Sequence, residues 1–133
     1  MHEMGSQKIL LVEDNEVNAK LIKDFLKFRG FNVSVVSNGL DVMPTALEFK
    51  PNLVLMDIQL FGISGAEATK QLRHNDETKD IPIFIISAFS RSKIIDELPE
   101  KYFNEYIEKP IVFQEFMDLV HSYIGFAEKE DKE

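Results

Sequence analysis

The sequence predicts an α/β protein in which five strands form a doubly wound parallel sheet between two layers of helices. Short apolar runs alternate with amphipathic helical segments along the whole chain, and this alternation favours parallel strands joined by right-handed crossovers. The chain has 133 residues, of which 44% are hydrophobic and 29% charged, as is typical of one globular domain. We therefore expect a single three-layer sandwich.

The first strand and helix are indicated by residues 8–30. Residues 8–12 are a nearly continuous apolar run, typical of a strand buried on both faces. Asn15 suits the N-cap of a following helix, which Gly30 ends. Large apolar residues recur in this helix at intervals of three and four and predict its packed face. They are Val17, Leu21, Phe25 and Phe28, flanked by Ile22 and Leu26.

The next segment predicts an edge strand and a second helix. Residues 31–36 alternate between apolar and polar side chains, which indicates a strand that is less buried than the first. Apolar residues at helical spacing from about 40 to 49 predict the helix. Pro44 is tolerable there only near the first turn.

Two buried strands and a short helix follow. The apolar runs 53–56 and 83–86 each predict a strand buried on both faces, and they end at Asp57 and Ser87. Residues 66–73 predict the helix between them. Both strands thus finish on a side chain capable of polar chemistry.

The last part of the chain predicts a short helix, a short strand and a closing helix. Residues 91–98 favour a helix that Pro99 limits to about two turns. Residues 106–107 form the last strand, before Lys109. The closing helix carries apolar residues at helical spacing: Phe113, Phe116, Met117, Val120 and Ile124.

The composition excludes several classes of function. The chain has no cysteine, which excludes disulfide scaffolds, thiolate metal sites and cysteine nucleophiles. A net charge of −8 and a pI near 4.9 argue against nucleic acid or an anionic membrane as a direct partner. No apolar run approaches the ~20 residues of a membrane-spanning helix, so we expect a cytoplasmic protein.

Both ends of the chain are expected to lie outside the folded domain, which we place at residues 7–125. Residues 1–6 lack the apolar core of a signal peptide and resemble a cloning remnant. Residues 126–133 form a charged tail or the start of a linker.

Polar side chains follow four of the five predicted strands. Glu13 and Asp14 come after the first, Asp57 after the third, Ser87 after the fourth and Lys109 after the fifth. Ligands of open parallel sheets bind beyond the carboxyl ends of the strands, where the strand order reverses. If the order is 2-1-3-4-5, all five side chains converge on one edge of the sheet.

Three carboxylates at one edge repel each other unless a divalent cation lies among them. Ligation by oxygen alone suits Mg²⁺. A carboxylate beside such an ion can attack a phosphoryl group, and Asp57 is the natural nucleophile. Lys109 and the Ser87 hydroxyl would bind phosphoryl oxygens. Each residue alone has an ordinary structural explanation as a helix cap or a turn residue, but their joint placement favours the chemical one.

Residues 7–125 resemble the receiver domains of two-component response regulators, the CheY-like family. The resemblance is carried by the runs ILLVEDNEVN, LVLMDIQLFGISG, ISA and YIEKP. In the sequence of its first motif, VEDNEVN, the chain is most similar to stand-alone cell-division regulators of the DivK type and to the receivers of hybrid histidine kinases. The resemblance implies a flavodoxin-like sandwich with the strand order 2-1-3-4-5, and a shortened fourth helix.

The family's functional positions are filled in this sequence. The resemblance implies Mg²⁺, with Mn²⁺ as a substitute, bound by carboxylates and one backbone carbonyl. It also implies a phosphoacceptor that receives its phosphoryl group from a histidine kinase or phosphotransfer protein. It implies that the chain is a signalling switch and not an enzyme, and that the switch acts by binding a downstream protein. The implied roles are metal binding for Glu13, Asp14, Asp57 and the carbonyl of Gln59, phosphorylation of Asp57, switching for Ser87, Lys109 and Tyr106, and a cis peptide at Lys109–Pro110.

Departures from the family pattern affect three places. Phe61 stands where the family usually has proline. Residues 101–104 replace small residues and, with Pro99, shorten the fourth helix on the face used for partners, so dimerisation is left open. Phe89 and Gln59 flank the site and are expected to tune dephosphorylation, with bulky Phe89 hindering the attacking water.

Three alternative functions are compatible with parts of this pattern. A receiver could serve as a docking module without being phosphorylated. An aspartyl phosphatase on a related sheet would need a second aspartate where Gln59 stands. A flavin or nucleotide carrier would need a loop rich in glycine, serine or threonine after the first strand, where the chain has Glu13, Asp14 and Asn15.

Overall fold

The computed structural model describes residues 7–60 and 63–126. Five parallel strands lie in the order β2-β1-β3-β4-β5, which confirms the predicted fold class. Predicted and observed strand boundaries agree within one or two residues. The strands are β1 Lys8–Val12, β2 Asn32–Val36, β3 Leu53–Asp57, β4 Ile83–Ser87 and β5 Glu105–Glu108.

The helices alternate with the strands. Two of them are flanked by short 3₁₀ turns, Gly39–Asp41 before the second helix and Glu100–Tyr102 after the fourth. The helices are α1 Glu16–Phe28, α2 Val42–Phe49, α3 Gly65–Arg73, α4 Arg91–Ile94 and α5 Phe113–Ile124. The 3₁₀ turn moves the start of α2 two residues past its predicted start, which leaves Pro44 in the first turn as expected.

Two apolar cores enclose the sheet, one on each face. The residues of β1, β3 and β4 are buried almost without exception, because helices cover both faces of a parallel sheet. Helices α1 and α5 pack on one face, around Leu26 and Phe116. Helices α2, α3 and α4 pack on the other, around Val42 and Leu72. The carboxyl ends of the strands therefore meet at one edge, where loops leave room for a site.

The packed face of α1 differs from the predicted one. Val17, Leu21 and Phe28 point to solvent, and Phe28 is 81% exposed, whereas Ala19, Ile22 and Leu26 are buried against the sheet. The two sets lie on opposite sides of the helix, since each residue turns the helix by about 100°. The prediction was wrong for Val17, Leu21 and Phe28, whereas Ile22 and Leu26, which it included as flanking residues, are buried and Phe25 packs on the same core. It followed the size of the apolar residues, and the sheet accepts the small Ala19 at the contact.

The fourth helix is shorter still than expected. It spans the four residues Arg91–Ile94, and irregular chain continues through Pro99 to β5. Leu98 and Phe103 of this irregular segment are buried in the core on the same face of the sheet.

Three sequence predictions lie outside the described residues: the remnant at 1–6, the effect of Phe61 and the tail from 127 onwards. Among the helices in the described part of the chain, none combines the length and apolar character needed to cross a membrane.

Candidate functional site

Three carboxylates meet where β1 and β3 end. The two strands are neighbours with Val12 opposite Met56, so the residues that follow, Glu13 and Asp57, lie side by side. One oxygen from each of Glu13, Asp14 and Asp57 lies within 4.8 Å of the others. Glu13 is 2% and Asp57 5% exposed. The topology thus brings together the acidic residues that the strand ends indicated.

Backbone groups hold the carboxylates of Glu13 and Asp57 in place. The Gln59 N–H donates to Asp57 Oδ1 over 2.9 Å, and the Asn15 N–H donates to Glu13 Oε2 over 3.2 Å. The Glu13 N–H itself donates to the carbonyl of Val36 on β2. Asn15 also caps α1 through its side chain, as expected. Because the donors belong to the backbone at the strand ends, the carboxylates are fixed with the sheet.

Lys109 supplies the one ammonium group that faces the cluster in the described structure. Its Nζ donates to Asp57 Oδ2 over 3.2 Å and lies 3.6 Å from Glu13 Oε1. The Lys109 N–H donates to the Ser87 carbonyl over 2.7 Å, and the peptide bond to Pro110 is cis. The lysine thus reaches across β4 from the end of β5.

Burial and negative neighbours raise the pKa of Glu13 to about 7. Removal from water has the largest effect, followed by the hydrogen bond and charge of Asp57, while Lys109 opposes the rise. Three carboxylates facing one ammonium leave an excess of negative charge that a divalent cation would neutralise. The donor set is oxygen alone, which fits Mg²⁺ or Mn²⁺ and excludes a preference for soft metals.

Ser87, Phe89 and Tyr106 form a second group beside the carboxylates. Buried Ser87 ends β4, and its Oγ accepts a hydrogen bond from the Phe89 N–H over 3.0 Å. The Tyr106 hydroxyl donates to the Phe89 carbonyl over 2.9 Å. The sequence indicates a role for the Phe89 side chain, but it carries no signal for the Phe89 backbone, which connects the serine to the tyrosine.

A cavity of about 420 Å³ opens next to the carboxylates. Asp14, Gln59 and Phe89 line it together with Ile58, Leu60 and Ile94. The partly exposed phenyl ring of Phe89 forms one wall. A reactant that approached Asp57 through this opening would pass both Gln59 and Phe89.

Gly65 supports the site in a way that the sequence did not reveal. A Cβ at this position would lie 2.2 Å from the Asp57 carbonyl oxygen, and the Gly65 N–H donates to the Ile58 carbonyl. The sequence showed it only as part of a loop. Ser64 before it caps α3, so the helix begins directly beneath the end of β3. Helix α3 can approach that closely because residue 65 has no side chain.

The sheet order and the acidic cluster define a CheY-like α/β domain with its site at the carboxyl edge. Residues 9–121 match the family described as "Response regulator receiver domain". The chain belongs to this family and is a receiver domain of a two-component signalling system.

Relatives and solved structures agree with this assignment. The chain is 37% identical over 121 residues to the polar-differentiation response regulator DivK of Brucella anthropi, covering 91% of this chain and 98% of DivK. It is similar in structure to the receiver domain of sensor histidine kinase PA1611 from Pseudomonas aeruginosa, with magnesium coordinated in the active site cleft. That match has a TM-score of 0.84 and 29% identity, over 90% of this chain and 98% of the other.

A second similar structure is the response regulator TrrA from Thermotoga maritima in complex with Mg²⁺ and BeF. Its TM-score is 0.79 at 27% identity, over 89% of this chain and 99% of that one. The resemblance to DivK-type receivers that the sequence predicted is confirmed by these comparisons.

Proposed function

We propose that Asp57 accepts a phosphoryl group from the phosphohistidine of a histidine kinase or phosphotransfer protein. The observation that carries this proposal is the buried Asp57 carboxylate, held by the Gln59 backbone and the Lys109 ammonium among further acids. Members of this family are in general signalling proteins rather than enzymes. We propose that this chain promotes only its own phosphorylation and dephosphorylation, within the domain 7–125.

Glu13, Asp14 and Asp57 would hold a Mg²⁺ ion, with the Gln59 carbonyl as a further ligand and Mn²⁺ as a substitute. The fit of the acidic cluster and the magnesium in the PA1611 cleft support this. When bound, the cation neutralises the negative charge between the carboxylates and the incoming phosphoryl group. The protein residues then have to orient the nucleophile and the phosphoryl oxygens.

In the transfer step, a carboxylate oxygen of Asp57 bonds to phosphorus while the bond from phosphorus to the histidine nitrogen breaks. The electron pair of that bond leaves with the imidazole. The Lys109 ammonium, paired with Asp57 Oδ2 at rest, is free to bind a phosphoryl oxygen once the carboxylate carries the phosphoryl group. The Ser87 hydroxyl, which accepts from the Phe89 N–H at rest, can also donate its own proton and so bind another phosphoryl oxygen.

The switch follows from the chain of contacts that begins at Ser87. When Ser87 turns toward the phosphoryl group, its bond from the Phe89 N–H is strained or lost. Since the Phe89 carbonyl accepts the bond from the Tyr106 hydroxyl, a shift of this loop releases the tyrosine. The surface near Tyr106 then changes shape, and this change favours one state of a two-state equilibrium that a downstream protein reads.

Phe89 and Gln59 would set the lifetime of the phosphorylated form. Both line the cavity that Asp14 and Ile58 also line, and we propose that water approaches the phosphorus from this side. An apolar ring at this wall offers no hydrogen bond to an attacking water. Replacement of Phe89 by serine is expected to shorten the half-life of the phosphorylated protein, and an unchanged half-life would contradict this role.

The first experiment measures intact mass after incubation with acetyl phosphate and Mg²⁺. The expected result is a gain of one phosphoryl group, absent with a chelator and absent in Asp57→Asn. Asp118→Asn, a change of an exposed acid on α5, is the matched control and should leave the gain intact. No gain in a protein that binds Mg²⁺ would overturn the proposal and identify a docking receiver that works without phosphorylation.

A further inference from the structure

Tyr106 packs against Phe103. Their ring centroids lie 5.9 Å apart, and Phe103 is buried in the irregular segment between α4 and β5. Arg91 also contacts the Phe103 ring, with its guanidinium carbon 5.7 Å from the ring centroid. A buried ring that packs against Tyr106 limits where the tyrosine can lie at rest.

Arg73 binds both neighbours of Phe103 in the chain. At the end of α3, its Nε donates to the Tyr102 carbonyl over 3.0 Å and its Nη2 donates to Asn104 Oδ1 over 2.9 Å. Its Nη1 donates to the carbonyls of Lys79 and Ile81 over 3.0 and 2.7 Å. One planar guanidinium thus fixes the chain immediately before and after Phe103 to the loop that leads into β4.

Asn104 extends this attachment to the sheet. Its Oδ1 also accepts from the Ile83 N–H over 2.8 Å, and its own N–H donates to the Ile83 carbonyl over 2.8 Å. The first residue of β4 and the residue before β5 are therefore held in register. The register matters because a slip by one residue would turn Tyr106 to the opposite face of the sheet.

Lysine cannot replace this arrangement. The four bonds run in the plane of a rigid fork, whereas an ammonium has three donors around one point. Arg73 is half-buried, so N–H groups left without partners there are costly. These contacts lie at the amino ends of β4 and β5, away from the carboxylates at the other edge.

We infer that Arg73 is a positioning residue that sets the resting place of Tyr106 through Phe103, and so controls how the β5 surface responds at the opposite edge of the sheet. The inference rests on the proposed function, because the response in question is that of Tyr106 to phosphorylation of Asp57. It concerns residues of the segment between α4 and β5, where this chain departs from the small residues that such domains usually carry.

The test records the NMR signals of the Tyr106 ring in Arg73→Lys, with and without Mg²⁺ and beryllofluoride. We expect the variant without beryllofluoride to populate the displaced ring roughly tenfold more than the parent protein, so that its change on adding the probe is smaller. Arg29→Lys is the matched control, since Arg29 caps α1 on the other face of the sheet. It should give the parent spectrum in both conditions.

Two further measurements, the mass gain at Asp57 and the urea midpoint of unfolding, distinguish a role of Arg73 in positioning Tyr106 from a general loss of stability. Arg73→Lys should keep the mass gain of the parent while its Tyr106 signals change. Tyr106 signals equal to those of the parent in both conditions would overturn the inference, and so would a proportional loss of mass gain and of Tyr106 response. If Arg73→Lys does not fold, Asn104→Ala removes one of the four Arg73 bonds, together with the bond from the Ile83 N–H, and is judged by the same signals.

The two proposals fail in different ways. If the parent protein shows no change at Tyr106 with beryllofluoride, the proposed switch is wrong. The spectrum of Arg73→Lys without the probe then still decides whether Arg73 positions the tyrosine, because a displaced ring supports that role and an undisplaced ring refutes it.

Discussion

The two regions that serve the proposed function are built differently. The carboxylates lie at the ends of β1 and β3, two central strands that are buried throughout and joined by ladder hydrogen bonds. The region around Tyr106 lies on β5, an edge strand that is half-buried and follows a four-residue helix. Segments with few buried contacts open locally at lower free energy than a buried centre does. The chemistry is thus placed on the rigid part and the response on the part that can move.

The largest effect is expected at the rigid part, from Gly65→Ala. A methyl group 2.2 Å from the Asp57 carbonyl oxygen forces α3 away from β3, since backbone on both sides cannot yield. We expect a loss of about 3 kcal/mol or more in the free energy of unfolding, measured by urea denaturation. The mass gain at Asp57 should also fall.

Gly125→Ala is the control for this substitution. Nothing lies within 4 Å of a Cβ at position 125, although its φ of +79° disfavours a side chain. With ψ at −173°, its cost from backbone strain alone should be about 2 kcal/mol. An equal loss in the two variants would show that α3 can retreat from β3, and the central region would then be less rigid than its packing indicates.

The second prediction concerns pH and the buried Glu13. Its pKa is about 7 in the folded protein and near 4.5 in the unfolded chain. Between these values the unfolded state gives up its proton first, so the stability of the metal-free protein falls as pH rises from 4.5 through 7. The fall attributable to Glu13 is up to ~3 kcal/mol. Urea unfolding at pH 5 and pH 8, with Glu13→Gln as reference, measures it.

Mg²⁺ should abolish this difference, because a cation among the carboxylates favours their charged forms. The direction of the pH dependence decides between burial and Lys109 as the stronger influence on Glu13. A difference between the parent protein and Glu13→Gln that favours the parent more strongly at pH 8 than at pH 5, without metal, would show that Lys109 outweighs burial and Asp57.

The third prediction tests the ammonium between the two regions. In Lys109→Gln we expect the initial rate of phosphorylation to fall about 100-fold, comparable to the loss of one charge-stabilising donor at a reacting centre. Mg²⁺ affinity should not fall, since the lost positive charge competes with the cation. Lys101→Gln, an exposed lysine of the segment before β5, is the control. A parallel loss of Mg²⁺ affinity would instead indicate that Lys109 holds the carboxylates together.

The sequence was sufficient to predict most of the rigid region. A strand buried on both faces must be an apolar run, and its end is visible where Glu13 or Asp57 interrupts that run. Gly65 was not identified, because a close approach between α3 and β3 is a property of packing. The prediction of the packed face of α1 was partly wrong for the same reason. The helix has one side with Ala19 and another with Leu21, and the shape of the sheet decides which of them packs.

The movable region was less accessible to prediction. Pro99 indicated a short fourth helix, and the structure confirms it. The bonds of Arg73 to Tyr102 and Ile81 join side chain to backbone across intervals of 29 and 8 residues, and backbone carbonyls carry no sequence signal. The role of the Phe89 backbone was missed likewise. Hydrogen bonds between side chains and the main chain are therefore the part of this region that the sequence does not predict.

The smallest effect is expected from Tyr106→Phe, which tests the movable region directly. The variant loses the O–H bond to the Phe89 carbonyl and keeps the ring packed on Phe103. Because the bond is accessible to water, the free energy of unfolding should fall by about 1 kcal/mol or less. The mass gain at Asp57 should be unchanged, while amide exchange of residues 88–90 should rise. Tyr123→Phe, which loses an exposed bond to Glu105 on β5, should leave that exchange unaltered. Equal exchange in the two variants would mean that Tyr106 does not hold the loop after β4, and the contrast between a rigid site and a coupled edge would have to rest on Ser87 alone.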